Sequence, residues 1–192
     1  MTLILASASA IRRSMLEAAG VAFSVRVAGI DEAAFKDEAA AEIVAQQLAD
    51  AKAVAVSRDS GDDVVIGSDS LVTVDGRRFD KPATRQQAGE HLRSFSGASM
   101  VLTSAVAVAR GGRVEWRHVE SATLNVRDLS DEFIERYLDA EWPDVSYCVG
   151  VFRLEGRGVQ LFDCIEGSHF TILGMPLLPL LGELRRRGLA AA

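Results

Sequence analysis

The stretch VVIGSDSLVTVDGRRFDKP, residues 64–82, most constrains what this chain can fold into. Val64, Val65 and Ile66 form an apolar run that reads as a buried strand. Gly67 and Ser68 follow, and Asp69 stands between Ser68 and Ser70. Leu71, Val72 and Val74 resume the strand signal, and Asp75-Gly76 is a two-residue hairpin turn. Pro82 then pushes Lys81 into extended backbone. The result is a sheet with a carboxylate at the end of a buried strand and a lysine after the turn. That pairing suits a metal or water ligand beside a phosphate-binding cation. A surface hairpin with scattered charges is the plainer alternative, because Asp and Lys are common near turns. The stretch alone leaves both open.

The preceding sequence repeats the theme of charge at element ends. Leu3-Ile4-Leu5-Ala6 reads as a short buried strand. Ser7 and Ser9 offer N-cap oxygens to a helix that turns Ile11, Met15 and Leu16 inward and ends at Gly20. Arg12 and Arg13 fall in its first turn, where cations oppose the helix dipole. A bound anion would resolve that conflict, since the free N–H groups of a strand-to-helix turn attract one. Two solvated arginines would tolerate it at small cost. Val21 to Ala28 reads as a strand, followed by the loop Gly29-Ile30-Asp31-Glu32. An Ala-rich helix is expected over 37–58, with Ile43, Leu48, Ala51 and Ala55 inward. Lys52, one turn beyond Leu48, borders that buried face, from which most lysines reach out to water.

After the hairpin, Thr84 and Gln87 form a capping box for a helix to about Phe95, stopping near Gly97. Val101 to Ala109 and Arg113 to Val126 read as strands joined at Gly111-Gly112. Ser130 caps a helix through about Ala140. Tyr147 to Leu154 is strand-like, Gly156-Arg157-Gly158 is a turn, and Val159 to Ile165 is another strand. Pro176 opens a last helix through Leu184, with Arg185, Arg186 and Arg187 solvated at its C-terminal end. Interleaved helices and strands with central hairpins define an α/β fold on a mixed β-sheet with flanking helices. The hairpin around 99–127 could form a second lobe, but no linker or composition shift marks a boundary. A single domain over 1–192 is expected.

Net charge enters where partners are weighed. At −6 the chain has no basic excess for nucleic acid or an anionic membrane, although a local basic pocket stays possible. No apolar run approaches the ~18 residues of a membrane span. The N-terminus is apolar first and basic second, the reverse of a secretory signal. Cys148 and Cys164, without other extracellular signs, read as reduced thiols in the core. Together these features point to a cytoplasmic protein.

Many common sites are absent from the sequence. It holds no Walker-type loop, GxGxxG, GxSxG elbow, HExxH or CxxC, and His91, His118 and His169 are isolated. The chemistry left is four cations, Arg12, Arg13, Lys52 and Lys81, and two carboxylates, Glu32 and Asp69. At strand ends and helix starts, that set suits a polyphosphate with a divalent metal.

These residues also carry a family resemblance. LILASASAIRR, Asp31-Glu32, Ala51-Lys52-Ala53, VIGSDSLV, Lys81-Pro82, Ser96-Gly97, LEGRG and LGMPLLPLL occur in that order over nearly the whole chain. The chain resembles the Maf family, septum-formation-inhibitor-like nucleotide pyrophosphatases. The resemblance implies an elongated α/β fold like that of the inosine-triphosphate pyrophosphatases, usually as a homodimer. It also implies cleavage of a nucleoside triphosphate between the α and β phosphates, with Mg²⁺, Mn²⁺ or Co²⁺ as cofactor. Ser9, Arg12, Arg13, Lys52 and Lys81 match its phosphate-binding positions. Glu32 and Asp69 match its acidic, metal-holding centre, with Asp69, Lys81 and Lys52 as the catalytic set.

Departures from the family pattern bear on the substrate. Asp69-Ser70-Leu71 replaces Asp-Thr-Val, and Ala98-Ser99-Met100 lacks the common Lys and His. Cys148-Val149-Gly150-Val151-Phe152 followed by Leu154-Glu155-Gly156 resembles the branch associated with 7-methyl-GTP. Glu155 stands where the dTTP/UTP branch has Gln, and is therefore expected to bind the base. Its alternatives are to cap the turn at 156–158 or to pair with Arg157. A dTTP/UTP pyrophosphatase, or a non-catalytic regulator of cell division acting through a protein partner, are the competing readings. The mixture of Lys52, Asp69 and Lys81 favours an enzyme.

Overall fold

A computed structural model describes residues 2–35 and 40–191. The first element is β1 (Leu3–Leu5), followed by α1 (Ala10–Ala18) and β2 (Ser24–Val25). A 3-10 turn over Glu32–Phe35 and helix α2 (Ala41–Ser57) lead to β3 (Val64–Val74) and β4 (Arg77–Phe79). Next come α3 (Arg85–Phe95), the strands β5 (Ser99–Arg110) and β6 (Arg113–Val126), and α4 (Asp131–Glu141). After two 3-10 turns, β7 (Phe162–Glu166), a short α5 (His169–Ile172) and α6 (Leu177–Arg186) complete the chain. The strands make one seven-stranded mixed sheet in the order β2-β1-β3-β5-β6-β7, with β4 paired to β3. β1 lies parallel to both neighbours, with Leu5 opposite Val25 and Ile66. The α/β fold with a mixed sheet and flanking helices is therefore present.

Two compact units divide the chain. The first comprises residues 1–70, 103–121 and 168–192, and the second residues 71–102 and 122–167. The boundary runs through β3, β5 and β6 instead of through a linker, which is why composition gave no sign of it. The hairpin around 99–127 is not a unit by itself, since its central part, Thr103 to Ser121, belongs to the first unit.

In the first unit, strand alternation sorts β3 onto two faces. Val64 and Ile66 join Leu3, Leu5, Met15, Leu16, Val106 and Met175 in one apolar cluster. Val65 joins Ile4, Ala6 and Val56 in another, on the side of α2. Gly67, two residues on, lies directly under α2. A Cβ there would stand 2.1 Å from the Ala49 carbonyl oxygen and 2.6 Å from the Ala53 nitrogen. This approach selects the helix face. Val44, Ala45, Leu48, Ala49, Ala53 and Val56 are buried, whereas Ile43, expected inward, is exposed and Ala51 and Ala55 are only half-buried. An Ala-rich helix has little apolar contrast around its circumference, so the closest backbone contact sets its rotation, not the largest side chain. Residues 37–39, where the sequence starts this helix, lie outside the described residues.

The second unit packs α3 on α4, with Gly89 facing Ile134 and Leu138. Phe79 meets Phe95 edge-on at 4.7 Å, and Phe152 meets Phe162 in the same way at 4.8 Å. Asp75 and Gly76 both take positive φ in the β3–β4 turn, as do Gly111 and Gly112 between β5 and β6. Thr84 caps α3 as expected, but Gln87 reaches back to the Ala83 nitrogen, not to that of Thr84.

Three strand expectations are corrected. The strand over 21–28 shrinks to β2, because only Ser24 and Val25 meet β1 in register. Residues 147–154 are 3-10 and turn structure, with Val151 at φ +57° and its carbonyl accepting from the Tyr137 hydroxyl at 2.9 Å. A backbone bond held by a side chain replaces the ladder that the β-branched residues suggested. Residues 157–161 form a 3-10 turn, so the following strand begins at Phe162. Cys164 is exposed, not a core residue, and both cysteines are free. Arg187, the residue just after α6, is half-buried between Glu183 and Glu115 instead of solvated. No helix among the described residues is long and apolar enough to cross a membrane.

Because helix backbone fills the space above Gly67, a Gly67→Ala substitution forces α2 off the sheet. Overpacking of this kind costs about 1–3 kcal/mol, or a fall in Tm of roughly 3–10 °C for a chain of this size. Thermal unfolding of the variant followed by circular dichroism measures it, and an unchanged Tm would contradict the packing.

Candidate active site

The same contact that fixes α2 sets Lys52 over Asp69. Lys52 follows Ala49 by three residues and so shares its face of the helix. Asp69 follows Gly67 by two and shares its face of β3. The Lys52 ammonium lies 2.5 Å from Asp69 Oδ1 and 2.7 Å from Glu32 Oε1. Lys52 and Asp69 side chains are 12% and 11% exposed, whereas Glu32, on its 3-10 turn, is 54% exposed. An ammonium thus occupies the gap between two carboxylates, one buried and one open to solvent. Most lysines bordering a buried face reach out to water, but Lys52 is held inward, because burial of Asp69 demands a counter-charge.

The alternate residues of β3 face the other way. Ser68 and Ser70 both lie within hydrogen-bond distance of the Gly174 carbonyl, at 3.1 and 3.0 Å. Arg12 donates to that carbonyl from Nε at 2.9 Å, to Ser70 Oγ from Nη2 at 3.0 Å, and to Ser7 Oγ from Nη1 at 3.4 Å. Burial lowers the Arg12 pKa from its ordinary value, while the negative charges of Asp69 and Glu32 oppose that shift. Arg12 therefore sits in the field of the two carboxylates that hold Lys52. Ser9 caps α1 by accepting from the Arg12 nitrogen, and its own nitrogen donates to Ser7 Oγ. Arg13 is exposed on the same helix.

Arg12, Glu32, Lys52 and Asp69 are thus brought together within the first unit. Both Glu32 and Asp69 present hard carboxylate oxygens and already grip a cation, the Lys52 ammonium, so their donor set fits a divalent ion of the Mg²⁺ type. Such ions are commonly held by one or two carboxylates together with substrate phosphates. Among the described residues no group of three or more His, Cys, Asp or Glu side chains forms a metal cluster.

Lys81 and Glu155 belong to the second unit. Both are exposed, and both act on Cys148, whose thiol is pushed up to about 11. Burial is the main cause, Glu155 reinforces it, and Arg153 and Lys81 oppose it. Arg153 is held by buried Glu141, with Nη2 2.9 Å from Oε2, and by Asp144. The turn at 156–158 has no side-chain cap, and Glu155 makes no ion pair with Arg157 among the described residues. Sequence reasoning assigned no role to Ser68, Ser104, Glu141 and Arg153, and read Ser7 only as a helix cap. Only the repeated serines around Asp69 offered a signal, since buried hydroxyls need partners.

Comparison with known proteins places the chain. The profile of the Maf-like protein family matches residues 2–187. A 7-methyl-GTP pyrophosphatase of Rhizobium meliloti (strain 1021) is 48% identical over 191 residues, covering 97% of this chain and 96% of the relative. A nucleoside triphosphate pyrophosphatase of Gluconobacter oxydans (strain 621H) is 43% identical over 197 residues, 100% of this chain and 97% of the relative. A solved dITP/XTP pyrophosphatase from Mycobacterium abscessus is similar at 15% identity and a TM-score of 0.43, covering 98% of this chain and 96% of that one, too distant to bear on the site. With a match over nearly its full length, the chain belongs to the Maf-like protein family.

Proposed function

We propose that this Maf-like chain is a nucleoside triphosphate pyrophosphatase that hydrolyses the α–β phosphoanhydride, with an N7-methylated guanine nucleotide as its substrate. The class of reaction is that named for its relatives, which match almost end to end at 43% and 48% identity. One structural observation carries the mechanistic reading. The Lys52 ammonium is clasped by Asp69 and Glu32 with Arg12 in the same field, an arrangement of cations around an acidic centre. Such a centre has the charges that α–β cleavage requires.

In this reading Asp69 orients the attacking water and takes its proton as the water oxygen bonds to the α-phosphorus. The α–β bridging bond breaks, and the charge that builds on the departing pyrophosphate is offset by Arg12, Arg13, Lys52 and Lys81. Ser9 contributes a hydroxyl to the phosphates. Glu32 and Asp69 would hold a divalent cation, which when bound supplies further positive charge to the phosphate oxygens. Lys52 holds Asp69 in place when substrate is absent, through the ion pair at 2.5 Å.

The preference for a methylated base rests on Glu155 and on relatives named 7-methyl-GTP pyrophosphatase. Methylation at N7 makes guanine cationic and its N1–H a stronger donor. A carboxylate accepts from N1–H and the exocyclic amine together, and charge-assisted bonds are roughly twice as strong as neutral ones. Neither a turn cap nor an Arg157 pair occupies Glu155 among the described residues, which supports a free acceptor.

Asp69→Asn keeps the shape of the side chain and removes the base. Its kcat is expected to fall by about 10² or more with unfolding unchanged, and pyrophosphate release measured with Mg²⁺ reads it. Normal turnover would reject the assignment. Lys81→Ala is expected to lower kcat/KM by about 10²-fold, as for loss of one electrostatic donor; a change under twofold would remove Lys81 from the catalytic set. For the base, kcat/KM is compared across 7-methyl-GTP, GTP, UTP and dTTP in wild type and Glu155→Gln. An advantage of about ten- to a hundredfold for 7-methyl-GTP should shrink in the variant. Preference for UTP over 7-methyl-GTP in both proteins would leave only the general activity.

A further inference from the structure

We propose that Ser70 is the positioning residue that aims Arg12, and that it does so from a hydrogen-bond chain whose direction the structure dictates. The proposal rests on the reading of Arg12 as a ligand of substrate phosphate. It goes beyond that reading by giving a role to a residue on the opposite face of β3 from Lys52.

The donors and acceptors leave little freedom. A guanidinium only donates, so Ser70 Oγ accepts from Arg12 Nη2 across 3.0 Å. Ser104 Oγ lies 2.8 Å from the Thr171 carbonyl, which can only accept, so the one Ser104 proton points there. The Ser70 proton is then directed to the Gly174 carbonyl at 3.0 Å or to Ser104 Oγ at 2.8 Å. The chain therefore runs from Arg12 through Ser70 to the 171–174 segment, each bond polarising the next. That segment is itself tied down, since the Thr171 hydroxyl donates to Glu120 at 2.6 Å. Gly174 takes φ +103°, and a Cβ there would meet Ser70 Oγ at 3.2 Å, so the carbonyl is delivered by a position suited to glycine.

The consequence lies in what remains of Arg12. Of the five N–H donors of a guanidinium, Nε and one on each terminal nitrogen are taken by Gly174, Ser7 and Ser70. One N–H on each terminal nitrogen has no partner among the described residues. Two donors on one plane, held by three anchors, match a bidentate grip on a phosphate group. Ser70 is the anchor that both accepts from Arg12 and donates onward, so it fixes the plane of the fork. Alanine there removes that anchor and leaves Nη2 free to turn toward Asp69. Threonine keeps the hydroxyl, and Ser70 is partly exposed on a strand, where a β-branched side chain is well accommodated.

The test uses wild type, Ser70→Ala and Ser70→Thr in the full chain. Calorimetric titration with inorganic pyrophosphate reads the grip without turnover, and steady-state kinetics with a nucleotide hydrolysed by wild type reads it in the reaction. Ser70→Ala is expected to weaken pyrophosphate binding and raise KM by about tenfold each, with a smaller change in kcat. Ser70→Thr should stay within about threefold of wild type, and the melting temperatures should not track the affinities. Unchanged pyrophosphate affinity in Ser70→Ala, no binding of pyrophosphate by wild type, or equal impairment of the alanine and threonine variants would overturn the proposal. Failure of the wild type to hydrolyse any nucleotide would instead sink the proposed function, with the calorimetric comparison still deciding on Ser70.

Discussion

Contact between the backbone of α2 and Gly67 is the constraint on which the first unit depends. A side chain at that position would collide with helix atoms, so glycine sets how closely helix and strand approach. The approach brings Lys52 within 2.5 Å of Asp69, a distance that a more widely spaced helix could not reach with the same geometry. Two charges out of water are costly to hold, and the cost is recovered only when geometry is good. Here the packing supplies that geometry. The third member, Glu32, remains half in solvent and so meets the ammonium without a comparable desolvation cost.

Around this contact, the alternation of β3 separates two kinds of chemistry. Gly67 and Asp69 face α2, and the ionic centre forms there. Ser68 and Ser70 face Gly174 and Arg12, and a neutral hydrogen-bond lattice forms there. Arg12 senses both faces, being tied to the lattice by hydrogen bonds and to the carboxylates by field. A one-residue slip of the strand would exchange the two faces and destroy both arrangements, so the register with β1 carries functional weight. Leu3, Ile4 and Leu5 pair with Val64, Val65 and Ile66 and thereby hold the strand end in place.

The second unit shows a different economy of backbone and side chain. Residues 147–154 are rich in β-branched and aromatic types, yet they do not join the sheet. Val151 adopts φ +57°, uncommon for a β-branched residue, while its buried carbonyl is satisfied by Tyr137 from α4. Backbone strain of that sort persists where surroundings over-determine it. Buried Glu141 and its half-buried partner Arg153 brace the same stretch, which leads directly into Glu155. The segment that bears the proposed base-reading carboxylate is thus shaped by side-chain bonds from a helix, not by a strand ladder.

What the sequence determined by itself were local events with a short-range physical cause. The turns at Asp75-Gly76 and Gly111-Gly112, the Ser9, Thr84 and Ser130 caps, and the long strands around them follow from steric and hydrogen-bonding rules over a few residues. Asp69 and Lys52 stood out for the same reason, a charge beside apolar runs, and the ordered motifs carried the family. Tertiary structure decided everything that depends on which surfaces meet. It turned α2 so that Ile43 faces solvent, split the 99–127 hairpin between two units, drew Arg187 between two glutamates and kept 147–154 out of the sheet. It also built the lattice of Ser70, Ser104 and Gly174 around Arg12, from residues as many as 162 positions apart. Periodicity reports only that a side chain is apolar or polar. Which partner fills the space beside it depends on close packing and on pairing every buried polar group, and both are properties of the assembled unit.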